Sequence, residues 1–562
     1  MKRTLSFCVT VCILLLCATQ ISAASDDTID TLFVGDFQSL EAISEDFRNV
    51  RLILTKDITA TEDLRFISSE ARKREIILDL NGYSLSFESE KCLFINDWSG
   101  YSTRTDMCFT LTSGKKGASV IFLYIPEKGF PGGFCNAGNL TLDGDVSLTA
   151  ENAVTGSSLT PIGQSVGGSL IVNADPDSFL VVNSGNLNGL GNFQKVIENN
   201  GGRLTINGGI IQNGTNVAIT SNDNCIFNDG GELLINGGRI QAYGEGCTAI
   251  INYDSFNPCG TPALVGESSP LPVKDTFVMT GGSVTAEGKD ATAVDLGING
   301  MVIGGRIAAS GENSVGIRYA HATEPEEAQN ITLLGGRIAG EGRALADKSG
   351  NSAWYKNIDG GAVPVGSAEK EITPGPGDIS PDSWYAPVFY QLVYDGTIKG
   401  YPGGSFRPHG GITRSELVAL LAHMDGEDMS RYEAVEPPFK DVAVPVWYAA
   451  STLWGKAKGI VSGYPDGSFR AGDRVTREQL VTMAYEYALH KGVEMKPGTT
   501  QSGNIDGFTD AARVSEWATP AMQWAIDAGI VSGRGNNRLA PKETATRAEA
   551  AVLLAKAIAS MD

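Results

Sequence analysis

From about Asp30 to Gly361, apolar and polar residues alternate in short runs, and each run meets Gly-Gly or Asn-Gly before alternation resumes. Strict alternation is the period of a half-buried β-strand. The runs align as LTINGGII (Leu204 to Ile211), LLINGGRI (Leu233 to Ile240), FVMTGGSV (Phe277 to Val284), MVIGGRI (Met301 to Ile307) and TLLGGRI (Thr332 to Ile338). ILDLNGYSL, from Ile77 to Leu85, is an earlier copy of the same shape. Successive Gly-Gly pairs lie 29, 44, 23 and 31 residues apart, so each unit reads as one coil of a solenoid with loop insertions of varied length. One alternation cannot bury its apolar face alone. Stacking predicts that Ile206, Ile235, Met279, Val302 and Leu333 form a continuous interior ladder, with glycine supplying the positive φ of each corner. Tandem β-sandwiches are the alternative.

After Gly361 the pattern changes. Glu371-Ile-Thr-Pro-Gly-Pro-Gly377 reads as a stiff linker, and helical periodicity follows. Three segments open at Asp378, Asp441 and Asp510. Trp384, Trp447 and Trp517 are each followed 12 residues later by Gly396, Gly459 and Gly529, 16 later by Gly400, Gly463 and Gly533, and 30 later by Arg414, Arg477 and Arg547. Gap-free agreement across three copies marks a repeat. Each copy encodes two helices, the first with Trp384, Val388 and Leu392 at helical spacing. The second opens on a capping box, Thr413 with Glu416, Thr476 with Gln479, and Thr546 with Glu549. The domains expected are therefore a leader at 1–23, a solenoid at 24–365, a linker at 366–377, and repeats at 378–428, 437–491 and 506–562.

A chain of 562 residues exceeds one hydrophobic core, and its 68 glycines suit a fold of many tight turns. The formal charge of -21 argues against a nucleic-acid partner, so any anion site must be built locally. Lys2 and Arg3, the apolar run Leu5 to Ala18 and the small residues Ser22-Ala23 read as a cleaved secretory signal, too short to span a membrane. No further membrane span follows in the mature chain. Cys8, Cys12 and Cys17 leave with that leader. The spacing of Cys92, Cys108, Cys135, Cys225, Cys247 and Cys259 suggests neither a zinc site nor a disulfide framework, and buried thiols or one or two opportunistic bridges are expected.

The long segment resembles the right-handed parallel β-helix of pectate-lyase-like surface proteins, and Phe37 to Asn49 looks like the amphipathic helix that plugs the first coil of such folds. The C-terminal copies resemble the S-layer homology family, with its W-Y or W-A pair, its G-I-V-x-G-Y-x-D-G-x-F centre and its T-R-A-E box. The resemblance implies an all-α pseudo-threefold unit that binds secondary cell-wall polysaccharide, commonly through pyruvylated N-acetylmannosamine. It also implies a peptidoglycan-associated protein on a Gram-positive wall. Departures are Gln479 for Glu, Pro376 where Phe439 and Phe508 open the other copies, and GRGNNRL in the third loop. The last departure places the weakest site in the third copy.

The residues themselves lead to a related expectation. A cation in the first turn of a helix opposes the macrodipole, so arginine there three times has no rationale within the helix. With the free amides of that turn it would make an anion site; the alternative is that each arginine bridges to an acid of a neighbouring repeat. Trp384, Trp447 and Trp517 are expected to pack in the core, with sugar stacking as the rival role. Asp378, Asp441 and Asp510 are candidates for capping the first helix or meeting the ligand. No cofactor or metal is implied, and no strong catalytic motif stands out; Asp143-Gly144-Asp145 is read as a turn. The passenger is expected to be a non-enzymatic adhesin or glycan-binding rod. A wall-anchored polysaccharide lyase or glycoside hydrolase is the alternative.

Overall fold

A computed structural model describes residues 29–559 apart from 45–48, 67–73, 89–90, 96–106, 125–132, 153–165, 174–177, 190–192, 215–223, 254–276, 298–299, 320–330, 348–352, 357–361, 366–367, 373, 375, 381–382, 395–396, 402–404, 434, 436–438 and 494–504. The expected leader, its three cysteines and Cys259 lie outside the described residues. The chain divides into two compact units, with the boundary between Gly375 and Pro376.

The first unit is a parallel β-helix. Each coil contributes one strand to each of three sheets, which hold 13, 10 and 11 strands in sequential order. The predicted ladder is stacked in register: Ile206 faces Ile235, Ile235 faces Met279, Met279 faces Val302, and Val302 faces Leu333. All five are fully or almost fully buried. The second glycine of each pair turns the corner, as at Gly238 with φ 77° and Gly282 with φ 79°. A Cβ on Gly282 would also lie 2.6 Å from the carbonyl oxygen of Gly237 in the preceding coil, so the corner admits only glycine. Helix α1, Phe37–Ser44, buries Leu40 completely at the start of the core, with Phe37 and Ile43 packed against it.

Polar stacking accompanies the apolar ladder. Asn136, Asn173, Asn199, Asn228 and Asn252 are buried in successive coils, each passing an amide hydrogen to the carbonyl oxygen of the next, at 2.7 Å for the first pair and 2.6 Å for the last. Asn199 and Asn228 also donate to the turn carbonyls of Gly202 and Gly231. Asp143-Gly144-Asp145 is a turn held between coils: the amide of Asp145 donates to the carbonyl of Ser113, and Gly144 adopts φ 78°. The five described cysteines are free thiols, and burial pushes that of Cys92 up to about 12.

The solenoid ends later than the sequence pattern suggests. Glu371–Ile372 pairs antiparallel with Arg337–Gly340, so part of the expected linker is the last strand of a sheet. An extended segment beside Pro374 and Pro376 has the same local signature whether it spans solvent or joins an edge, and only the distant partner distinguishes them.

The second unit contains helices α2 (Ala386–Tyr394) and α3 (Arg414–Asp425), α4 (Ala449–Ala457) and α5 (Arg477–His490), and α6 (Thr519–Asp527) and α7 (Arg547–Ala559). Three backbone hydrogen bonds relate the repeats as a closed ring. The amide of Ile412 donates to the carbonyl of Ala545 at 2.9 Å, Ala545 to Val475 at 2.9 Å, and Val475 to Ile412 at 3.0 Å. All three residues are buried, so this ring marks a pseudo-threefold axis. Among the described residues no helix is long and apolar enough to cross a membrane.

Candidate functional site: the junctions between repeats

The second helix of each repeat begins as the capping boxes predict. Thr413 Oγ1 accepts the Glu416 amide at 3.3 Å while a Glu416 oxygen accepts the Thr413 amide at 2.8 Å, and the same exchange joins Thr476 to Gln479 and Thr546 to Glu549. The preceding amides are also taken. Arg414 and Ser415 donate to the carbonyls of Asp473 and Ala471, Arg477 and Glu478 to Glu543 and Pro541, and Arg547 and Ala548 to Gly410 and Pro408. The expected anion cradle of first-turn amides is therefore occupied by protein in all three copies, and the threonines serve the caps.

The arginine side chains cross from one repeat to the next. Arg414 donates from Nε to the carbonyl of Phe469 at 2.9 Å and from Nη2 to that of Ser462 at 3.0 Å. Arg477 reaches the third repeat, from Nε to the Leu539 carbonyl at 3.0 Å. Arg547 returns to the first, from Nε to Phe406 at 3.1 Å and from Nη2 to Lys399 at 3.1 Å. Aromatic rings back two of them: Arg414 lies over Tyr464 and Phe469, and Arg547 over Tyr401. Each junction thus combines the arginine of one repeat with the loop and N3 residue of the next. This corrects the expectation that the altered loop of the third copy bears on that copy's own arginine. The altered third loop belongs to the junction of Arg477, whereas Arg547 sits on the first loop.

The N3 residues set the charge of the three junctions. Glu416 receives the Tyr401 hydroxyl and stands 3.3 Å from Arg547 Nη1. Glu549 stands 3.2 Å from Arg477 Nη1 and also pairs with Arg534. Burial raises the pKa of both carboxyls, but these partners and the capped amides more than offset it, leaving both below the ordinary value. Arg534 and Arg538 share Glu543 as well, so the guanidinium groups of that junction are all engaged. At the remaining junction the N3 residue is the neutral Gln479. Arg414, only 8% exposed, has no carboxylate within 4 Å among the described residues. The bridging alternative thus describes Arg477 and Arg547 but not Arg414.

Other candidate residues have structural roles that sequence left open or misassigned. Asp378 accepts the amides of Phe406 and Arg407, Asp441 those of Phe469 and Arg470, and Asp510 those of Leu539 and Ala540, at 2.7 to 2.9 Å. Each carboxylate clamps its own loop at a residue with positive φ, Arg407, Arg470 or Ala540. Among the described residues it neither caps the first helix nor forms an ion pair with a junction arginine. Gly400, Gly463 and Gly533 allow close ring packing: a Cβ would meet Phe406 at 3.2 Å, Phe439 at 2.6 Å and Phe508 at 2.8 Å. The tryptophans are not core. Trp384, Trp447 and Trp517 are 65%, 66% and 56% exposed. They precede their helices, and Tyr385 just before the first helix, with Phe389 and Leu392 within it, is buried instead.

On the solenoid, a shallow cleft of about 370 Å³ is lined by Glu287, Arg306, Ser310, Glu341 and Glu371. It joins acidic and basic groups on one sheet face, which the linear sequence does not reveal because they come from strands in different coils.

The sequence profile of the S-layer homology domain matches residues 377–418, 438–481 and 507–551, so the second unit consists of three such domains. Cell surface glycoprotein 1 of Acetivibrio thermocellus is 30% identical over 164 residues, covering 29% of this chain and 7% of that protein. The cellulosome-anchoring protein of the same organism is 29% identical over 165 residues, covering 29% and 35%. Exoglucanase XynX, also from Acetivibrio thermocellus, is 30% identical over 248 residues, covering 40% and 21%. The chain thus spans about a third or less of the length of these relatives.

Proposed function

We propose that the three S-layer homology domains hold this chain non-covalently on a bacterial cell wall by binding an anionic secondary cell-wall polysaccharide, and that the β-helix is the displayed passenger. The observation that carries this reading is the arginine repeated at the junctions between the matched domains, buried at Arg414 and Arg477 and half-buried at Arg547. An arginine fork and aromatic surfaces suit a sugar bearing a carboxylate, such as a pyruvate ketal on N-acetylmannosamine. The exposed indoles of Trp384, Trp447 and Trp517 offer flat faces to sugar rings. Relatives named as an anchoring protein and as an exoglucanase are consistent with one attachment module serving different passengers.

For the passenger we propose a non-enzymatic role as adhesin or glycan-binding rod. The cleft around Glu287, Arg306 and Glu371 is where a lyase or hydrolase alternative would act. Incubation with uronic-acid and neutral polysaccharides separates these readings: new reducing or unsaturated ends would establish the enzyme. The anchoring role is tested by adsorbing the full chain to purified walls before and after chemical removal of pyruvate. Strong retention on the former and weak retention on the latter is expected; equal retention would refute the ligand assignment.

A further inference from the structure

We infer that the cleft on the 11-stranded sheet of the solenoid binds a short zwitterionic peptide, with the peptide carboxylate at Arg306 and its ammonium group at Glu287. This site lies outside the wall-anchoring module and stands without the reading given for it.

The cleft arises from a change of side-chain size along one register row. The outward residues of that row are Gln212, Gln241, Thr285, Ala308 and Ala339 in successive coils. Glutamine covers the backbone and alanine uncovers it, so the surface sinks over the last coils. Glu371 then stands opposite Ala339 on the antiparallel closing strand and pairs with Arg337 through two bonds of 2.8 and 3.0 Å, which walls off that end. The result is a depression of about 370 Å³ over Thr285, Ala308 and Ala339.

Its two rims carry opposite charge. Arg306 begins its strand at one rim, and Ser310 ends the strand at the other, with Glu287 beside Ser310 in register and Glu341 in the next coil. Four residues of strand set the rims about 13 Å apart. Neither the Arg306 guanidinium nor the Glu287 carboxylate has a hydrogen bond or ion pair among the described residues. Arg306 also lies next to Arg337 in register, and like charges so placed destabilise a sheet, so its charge has no rationale within the fold. Glu341 is committed in part, since it accepts the Gly311 amide at 3.0 Å. Lys370, whose carbonyl accepts the Gly340 amide, brings a cation to the Glu341 end of the acidic rim. Glu287 is the acid left over.

This charge pattern selects the ligand. An acidic polysaccharide would gain at Arg306 but meet repulsion from Glu287 and Glu341, and a basic polymer would meet the reverse. A molecule with one charge of each sign at its two ends is attracted at both rims. An extended tetrapeptide with free termini spans about 13 Å. Its alternate side chains point at the floor, where the methyl groups of Ala308 and Ala339 leave room for small residues.

The test titrates the full chain, isotope-labelled at its alanine methyl groups, with tetraalanine and follows the methyl signals by NMR. Those of Ala308 and Ala339, assigned by replacing each with serine, should move together and saturate. N-acetylated and C-amidated tetraalanine should each bind at least about threefold more weakly, the scale of one exposed ion pair. Arg306→Gln should remove the preference for the free carboxylate and spare that for the free amine, and Glu287→Gln should do the opposite. Misfolding cannot produce that exchange, and both side chains are exposed, so melting temperatures should match wild type. Unmoved Ala308 and Ala339 signals, equal affinity of wild type for free and capped peptides, preferences unchanged in the two variants, or tighter binding of trigalacturonic acid than of tetraalanine would overturn the assignment.

Discussion

Arg547, near the C-terminus, donates from Nε to the carbonyl of Phe406 at 3.1 Å, across 141 residues of chain. With the bond from Ile412 to Ala545, it makes the third repeat the closing segment of a ring. A chain ending at residue 505 leaves the Ile412 amide without that acceptor. Its hydrogen exchange should accelerate by orders of magnitude as the unit loses cooperativity. Retained protection at Ile412 would show that two repeats form the ring's structure without the third.

The buried asparagines make a second expectation. Asn199→Ala removes amide bonds to Asn228 and Gly202 and leaves the Asn173 amide without its acceptor. Denaturant unfolding should show a loss of about 2 to 4 kcal/mol, from unsatisfied buried groups and lost packing. Thr59→Ala, on the exposed face of a strand, should stay within about 0.5 kcal/mol of wild type.

Features carried by local chemistry were legible in the sequence. Alternation and Gly-Gly gave the ladder from Ile206 to Leu333, and Thr413, Thr476 and Thr546 announced their helices. Features that depend on a distant partner were not. The asparagine stack needs the coil register, and the loop clamp of Asp441 needs amides 28 and 29 residues away. The crossing of Arg414 to the second loop follows from the ring, which no single repeat encodes. The tryptophans were misread because Trp384, Val388 and Leu392 keep helical spacing although Trp384 precedes the helix. Gln479 was visible as a departure, but its meaning required the geometry of Arg414.

Gly463→Ala should disturb the second loop. The new Cβ would stand 2.6 Å from the Phe439 ring and 3.0 Å from the Ser468 carbonyl. A loss of about 1 to 3 kcal/mol is expected from overpacking, together with weaker wall binding. Gly467→Ala tests a different cause, since space is open there but φ is 80°. An unchanged melting temperature in Gly463→Ala would contradict the packing described.

Acid should weaken the repeat unit. Glu416 and Glu549 have folded pKa values below their unfolded ones, so their contribution is complete above the unfolded value of about 4.3 and is lost as pH falls through the lower folded value. The melting temperature should hold above about pH 5 and fall below about pH 4. Glu416→Gln should flatten that fall, whereas Gln479→Ala should not. An identical acid slope in Glu416→Gln and wild type would exclude this source of pH dependence.

The central claim is that the second unit attaches the chain to the wall. Its most direct test is co-sedimentation with purified cell walls of the full chain and of a chain ending at Gly375. The account predicts that the full chain sediments and the shortened chain stays in the supernatant; equal sedimentation of the two would contradict it.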